Sequence, residues 1–102
     1  MKIPFLHVYA QPFWHQEAFI VGNREALEAL RDAIDSALAE DEGKAVVVAA
    51  DHEGYDLHVY REEDQSYWEN SMLPYTDEAN FKPAPDDAVI PWTLYKKRKN
   101  AR

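Results

Sequence analysis

Gly22-Asn23-Arg24-Glu25-Ala26-Leu27-Glu28-Ala29-Leu30-Arg31-Asp32-Ala33-Ile34-Asp35-Ser36-Ala37-Leu38-Ala39-Glu40-Asp41-Glu42-Gly43 decides the fold. Leu27, Leu30, Ile34 and Leu38 recur at helical spacing, and Ala26, Ala33 and Ala37 widen the stripe. Asn23 can cap the first turn through its side-chain oxygen. Glu25 and Glu28 sit near the positive end of the helix dipole. Gly43 reads as the stop. The spacing predicts a helix over 24–40 whose apolar stripe covers a sheet. Arg24, Glu28, Arg31, Asp32, Asp35 and Ser36 fall on the opposite side. Glu40, Asp41 and Glu42 crowd the negative end, where cations would be favoured.

Outside this helix the period drops to two. Residues 3–10 alternate, and Ala18-Phe19-Ile20-Val21 is a second strand candidate. Ala45 to Ala50 is a continuous apolar run, as expected of a central strand covered on both faces. Asp51-His52-Glu53-Gly54 reads as a four-residue loop, with Gly54 free to take positive φ. Tyr55 to Tyr60 is the return strand. The tetrapeptide LHVY occurs at 6–9 and again at 57–60. Alternation sends the leucine and valine of each copy to one face and the histidine and tyrosine to the other. With the helix on the Leu/Val face, His7, Tyr9, His58 and Tyr60 point away from it. The expectation is an α+β domain: an antiparallel sheet of about four strands, order β-β-α-β-β, with one main helix on one face.

The C-terminal third lacks a period. Four of the six prolines and irregularly spaced aromatics fall between Ser66 and Tyr95. Turns are expected there, with a short helical turn near 76–80 and an edge strand near 88–94. Trp68, Tyr75, Phe81 and Trp92 would pin the segment to the body by burial. We expect a single domain over 1–95 and a flexible basic tail over 96–102.

The formal charge of −8 hides an asymmetry. Residues 1–95 hold 19 acids and 6 bases, a net −13, and the last seven residues hold +5. Such a body repels nucleic acid and steers toward basic partners. The chain has no cysteine, which excludes disulfides, thiolate catalysis and zinc–thiolate sites. No stretch reads as a signal peptide or a membrane span, so a cytoplasmic location is expected. Ser36 and Ser66 lack a nucleophile-elbow context, and the three glycines sit at element boundaries instead of in a phosphate loop. The sequence therefore predicts no catalytic residues, no metal and no cofactor.

Phe19 to Leu30, followed by the Asp51-His52-Glu53-Gly54-Tyr55 turn, resembles small bacterial immunity-type proteins, over residues 17–60. In those a strand runs into a "GN-R-E-x-L-x-x-L" helix and then a β-hairpin. The resemblance implies a non-catalytic protein that binds and blocks a toxin or another effector. The expected function is a small acidic protein, an immunity protein or phage-encoded inhibitor, that neutralises a basic protein partner without binding nucleic acid itself. Its carboxylate rows could imitate a phosphate backbone. The expected contacts are Glu28, Asp32, Asp35, Asp51, Glu53, Asp56, His58, Tyr60, Glu62, Glu63 and Trp68, with aromatics as anchors. Two alternatives stand beside it. One is a small-molecule or nucleotide-binding module that stacks a flat ligand on Trp14, Trp68 or Trp92. The other is a metal protein or enzyme built on His7, His52 and His58, with His15, Glu17, Asp51, Glu53 and Asp56 as further donors.

Overall fold

A computed structural model describes residues 2–12, 15–74 and 90–100. They fall into two units: residues 1–10 with 17–62, and residues 11–16 with 63–102.

The first unit runs β1 (Leu6–Tyr9), β2 (Phe19–Gly22), α1 (Arg24–Glu40), β3 (Glu42–Val48) and β4 (Gly54–Tyr60). The class is α+β. Instead of the expected single four-stranded sheet there are two antiparallel ladders, β1–β2 and β3–β4. One parallel bridge, Phe5 with Val48, links them. There the Val48 amide donates to the Pro4 carbonyl at 3.0 Å. The ladder cannot extend toward the N-terminus, because Pro4 has no N–H and the Phe5 amide turns back onto Ile3 O at 3.1 Å. On the other side of the bridge β3 has already entered its hairpin turn. Side chains finish the junction: Tyr55 Oη donates to Leu6 O at 2.6 Å, and the Ala50 amide donates to His7 Nε2 at 2.9 Å.

α1 begins as expected. Asn23 Oδ1 accepts from the Ala26 amide at 3.1 Å. Asn23 also donates from Nδ2 to Ile3 O at 2.7 Å and from its backbone to Phe5 O at 3.1 Å, so one residue ties the helix to the N-terminal segment. The end differs. Asp41, at φ 74°, makes the left-handed cap, and β3 starts at once. Gly43 is needed for a different reason: a Cβ there would meet Ala33 O at 2.0 Å. The backbones of α1 and β3 touch.

That closeness sets the core. Leu6, Ala26, Ala33, Ala45 and Val47 form its centre, with Ala29, Tyr55, Leu57 and Val59 packed against them. The helix rests on alanines, not on the expected leucine stripe. At 100° per residue, Leu27, Ile34 and Leu38 lie roughly 100–140° round the axis from Ala33. They are 44%, 42% and 60% exposed. β3 is also covered on one face only: Ala45 and Val47 are buried while Val46 is 60% exposed. In the hairpin turn His52, not Gly54, takes positive φ (70°), and Gly54 opens β4. His52 N donates to Ala49 O, and Ala49 N to Glu53 O, both at 2.9 Å. This is a three-residue loop with a left-handed third residue.

The second unit holds α2 (Gln65–Asn70) and α3 (Pro91–Asn100). Pro91 at the first helical position pre-sets the dihedral and needs no hydrogen bond, so 91–94 is helix and not the expected edge strand. α3 runs across the expected boundary at 95/96. Trp68 and Trp92 are 59% and 65% exposed, against the expected burial. Trp14, Tyr75, Phe81 and the expected turn at 76–80 lie outside the described residues. Among those described, no helix is long and apolar enough to cross a membrane.

Candidate functional site

The first unit brings the expected contact residues together in three places. Glu28, Asp32 and Asp35 share a sector of roughly 60° on the solvent side of α1, at 100° per residue. Glu28 faces Arg24 at 3.6 Å and Asp32 faces Arg31 at 3.5 Å, with all four side chains well exposed. Exposed pairs of this kind contribute about 0–1 kcal/mol each. Asp35 and Glu40 have no cation partner among the described residues.

Asp51 and Glu53 occupy the hairpin tip. Asp51 Oδ1 accepts from the Glu53 amide at 3.0 Å and so fixes the loop. Glu53 extends into solvent, and His52 between them sets its ring edge-on to Phe5 at 5.5 Å.

Asp56, His58 and Tyr60 lie on the open face of β3–β4, because α1 packs on the face that carries Ala45, Val47 and Leu57. The imidazole of His58 stacks on Tyr60, with ring centres 5.9 Å apart. Lys44 pairs with His58 in register and approaches Asp56 at 3.9 Å. The sheet therefore separates the helix acids from Asp56, His58 and Tyr60, and a flat partner reaches one set at a time. Glu62 ends the first unit, half-buried; Glu63 and Trp68 belong to the second unit.

The acids at the C-terminal end of α1 have an internal answer. Arg61 donates to Leu38 O at 2.8 Å and pairs with Asp41, while its amide donates to Asp41 O at 2.9 Å. A guanidinium from the end of β4 thus supplies the positive charge that the helix terminus lacks. The sequence signal was present in the unbalanced acids, but not the identity of the cation, which comes from twenty residues away.

The imidazoles of the first unit do not converge on a common point. His7 Nε2 accepts from Ala50, so the ring proton sits on Nδ1 and is donated to Tyr9 Oη at 2.6 Å. Both ring nitrogens are engaged. His52 and His58 have the aromatic neighbours described above, and His15 is in the second unit. Among the described residues no group of three histidine, aspartate or glutamate side chains could hold a metal ion.

Two features escaped the sequence. Phe19, Ile20 and Val21 of β2 are 58%, 57% and 58% exposed, which the strand assignment alone did not state. Asp64 caps α2: Ser66 donates to it from both hydroxyl and amide, at 2.8 and 3.0 Å. Those two hydrogen bonds, with a smaller contribution from Lys97, hold its carboxyl below the ordinary value of 3.8. In comparison with known proteins, no family model, no curated protein and no solved structure matches the chain.

Proposed function

We propose that this chain is a small acidic binding protein that neutralises a basic protein partner by contact, as an immunity protein or a phage-encoded inhibitor does, in the cytoplasm and without turnover. The reading rests on one observation. The first unit carries 12 acidic and 5 basic residues, and the acids on the outer flank of α1 are held loosely. Asp35, Glu40 and Glu53 have no cation beside them among the described residues, and Arg24 and Arg31 sit on Glu28 and Asp32 in long, solvent-exposed pairs. A basic surface can displace those arginines at little cost. We assign the contact to the α1 set, with Glu53 and Asp51 at its margin.

The test is capture of the partner from lysate on immobilised protein at low salt, with elution by rising salt. The Glu28→Gln/Asp32→Asn/Asp35→Asn triple variant should slow association about tenfold at low salt and flatten the salt response. A Tyr60→Ala variant, on the opposite face, should bind as the parent does. A partner that binds the triple variant with unchanged rate and salt slope would overturn the proposal.

A further inference from the structure

Among the described residues, one edge of the β1–β2 ladder has nothing paired to it. The Asn23 amide donates to Phe5 O in register with the ladder, so His7 with Val21, and Tyr9 with Phe19, are the pairs that exchange backbone hydrogen bonds. The backbone groups of Ile20 and Gly22 then point away from β1. Leu6, the register partner of Gly22, points away likewise, and its carbonyl is taken by Tyr55. The N–H and C=O of Ile20 have no partner among the described residues. The strand is short, uncharged and apolar on both faces, and it lacks the inward charge, bulge or proline that guards most sheet edges.

We propose that β2 pairs antiparallel with β2 of a second copy of this chain, joining two β1–β2 ladders into one four-stranded sheet about a two-fold axis. The occupant is argued from self-complementarity. A two-fold axis at Ile20 pairs Ile20 with its own copy in the hydrogen-bonded position and uses its outward N–H and C=O reciprocally. The same register sets Phe19 of one copy opposite Val21 of the other, an aromatic on a β-branched side chain, twice by symmetry. It also brings Glu17 at one end of the strand to Arg24 just beyond the other. Glu17 has no ion pair among the described residues, and the Arg24 side chain is 82% exposed and so able to swing. Each copy thus supplies both partners of the flanking charge pair. Strands this short bury less than the roughly 1,200 Å² of a standard interface, so the dimer is weak and concentration-dependent. Because each copy carries −8, screening helps it form.

Sedimentation velocity on the full chain, from micromolar to millimolar concentration, reads the assembly, and amide hydrogen exchange reads the edge. The dimer fraction should rise with concentration and with salt. Protection of the Ile20 amide should rise in step, while Val21, already bonded to His7, stays constant. Ile20→Lys sets two ammonium groups face to face and should abolish the dimer while leaving the circular dichroism unchanged. Glu17→Arg and Arg24→Glu should each weaken the dimer about fivefold, and the double variant should restore it. A chain that stays monomeric throughout overturns the proposal. So does a dimer whose Ile20 amide exchanges as in the monomer, or an Ile20 amide protected only when a different protein is added.

Discussion

Replacing Gly43 by alanine tests the arrangement of the core. The added Cβ would lie 2.0 Å from Ala33 O, 2.7 Å from Ala33 C and 2.9 Å from Ala33 Cα. All three are backbone atoms of a helix interior, so no rotamer change relieves them. Bringing the oxygen contact to about 3.4 Å requires α1 and β3 to part by roughly 1 Å or more, and a gap of that size forfeits a quarter to a half of each dispersion contact along the seam. That seam is Ala26, Ala33, Ala45 and Val47, a large share of the core. Overpacking costs about 1–3 kcal/mol, and a backbone clash belongs at the upper end. We expect Gly43→Ala to lose about 3 kcal/mol, or roughly 12–24 °C in Tm for a unit of this size. Gly43 is not at positive φ, so without the contact alanine would instead stabilise by about 0.4–1 kcal/mol through the unfolded chain. The sign therefore decides. Gly54→Ala is the control: its nearest neighbour is Val47 O at 3.8 Å, and it should be neutral or slightly stabilising. Urea melts followed by far-ultraviolet circular dichroism measure both. A Gly43→Ala protein as stable as its parent, at unchanged m-value, would refute the close backbone approach.

Arg61→Met removes the guanidinium from the α1 terminus and should cost about 1 kcal/mol, with Arg61→Lys recovering only part because an ammonium lacks the planar fork; urea melts report it. Asp64 has its carboxyl pKa lowered on folding, so its contribution is present above 3.8 and lost as pH falls through the lower folded value. The Ser66 amide resonance should report that loss, and Asp64→Asn should keep the cap while removing the pH dependence. Nitrogen-15 spectra of neutral His7 should show the proton on Nδ1; the opposite tautomer would contradict the Ala50 bond.

The helix, both hairpins and the order of elements in the first unit were readable because each follows from a local rule: Asn23 as cap, period 3.6 over 24–40, period two at 55–60. The orientation of His58 and Tyr60 followed from alternation alone. What failed depends on distance between backbones. A leucine stripe flanked by alanines reads as a leucine core, yet Gly43 lets the helix approach so near that only alanine fits beneath it. Likewise the apolar run 45–50 reads as covered on both faces, but no periodicity states whether a second layer exists. Of the candidate site, the helix acids were identified from sequence as one exposed sector. Their separation from Asp56, His58 and Tyr60 was not, since it requires knowing which face of the sheet the helix takes.

A core of small residues displaces the large ones outward. Leu27, Ile34, Leu38, Phe19, Ile20 and Val21 are all more than two-fifths exposed, on a chain whose net charge is −8. These two facts act against each other in solution. Exposed apolar surface favours association, and like charge opposes it at long range. From about 0.05 M to about 0.5 M salt the screening length falls from over 10 Å to under 5 Å, roughly. Attraction to the proposed basic partner should weaken over that interval, while the proposed pairing through the uncharged β2 edge should strengthen. The two proposed processes would use different surfaces of one small unit, and their opposite salt slopes would make them separable in a single titration. Ile20→Lys should remove the rising limb and leave the falling one; the α1 triple variant should do the reverse. If either variant moved both limbs together, contact with the partner and self-pairing would share a surface, and the division of labour between helix flank and strand edge would be wrong.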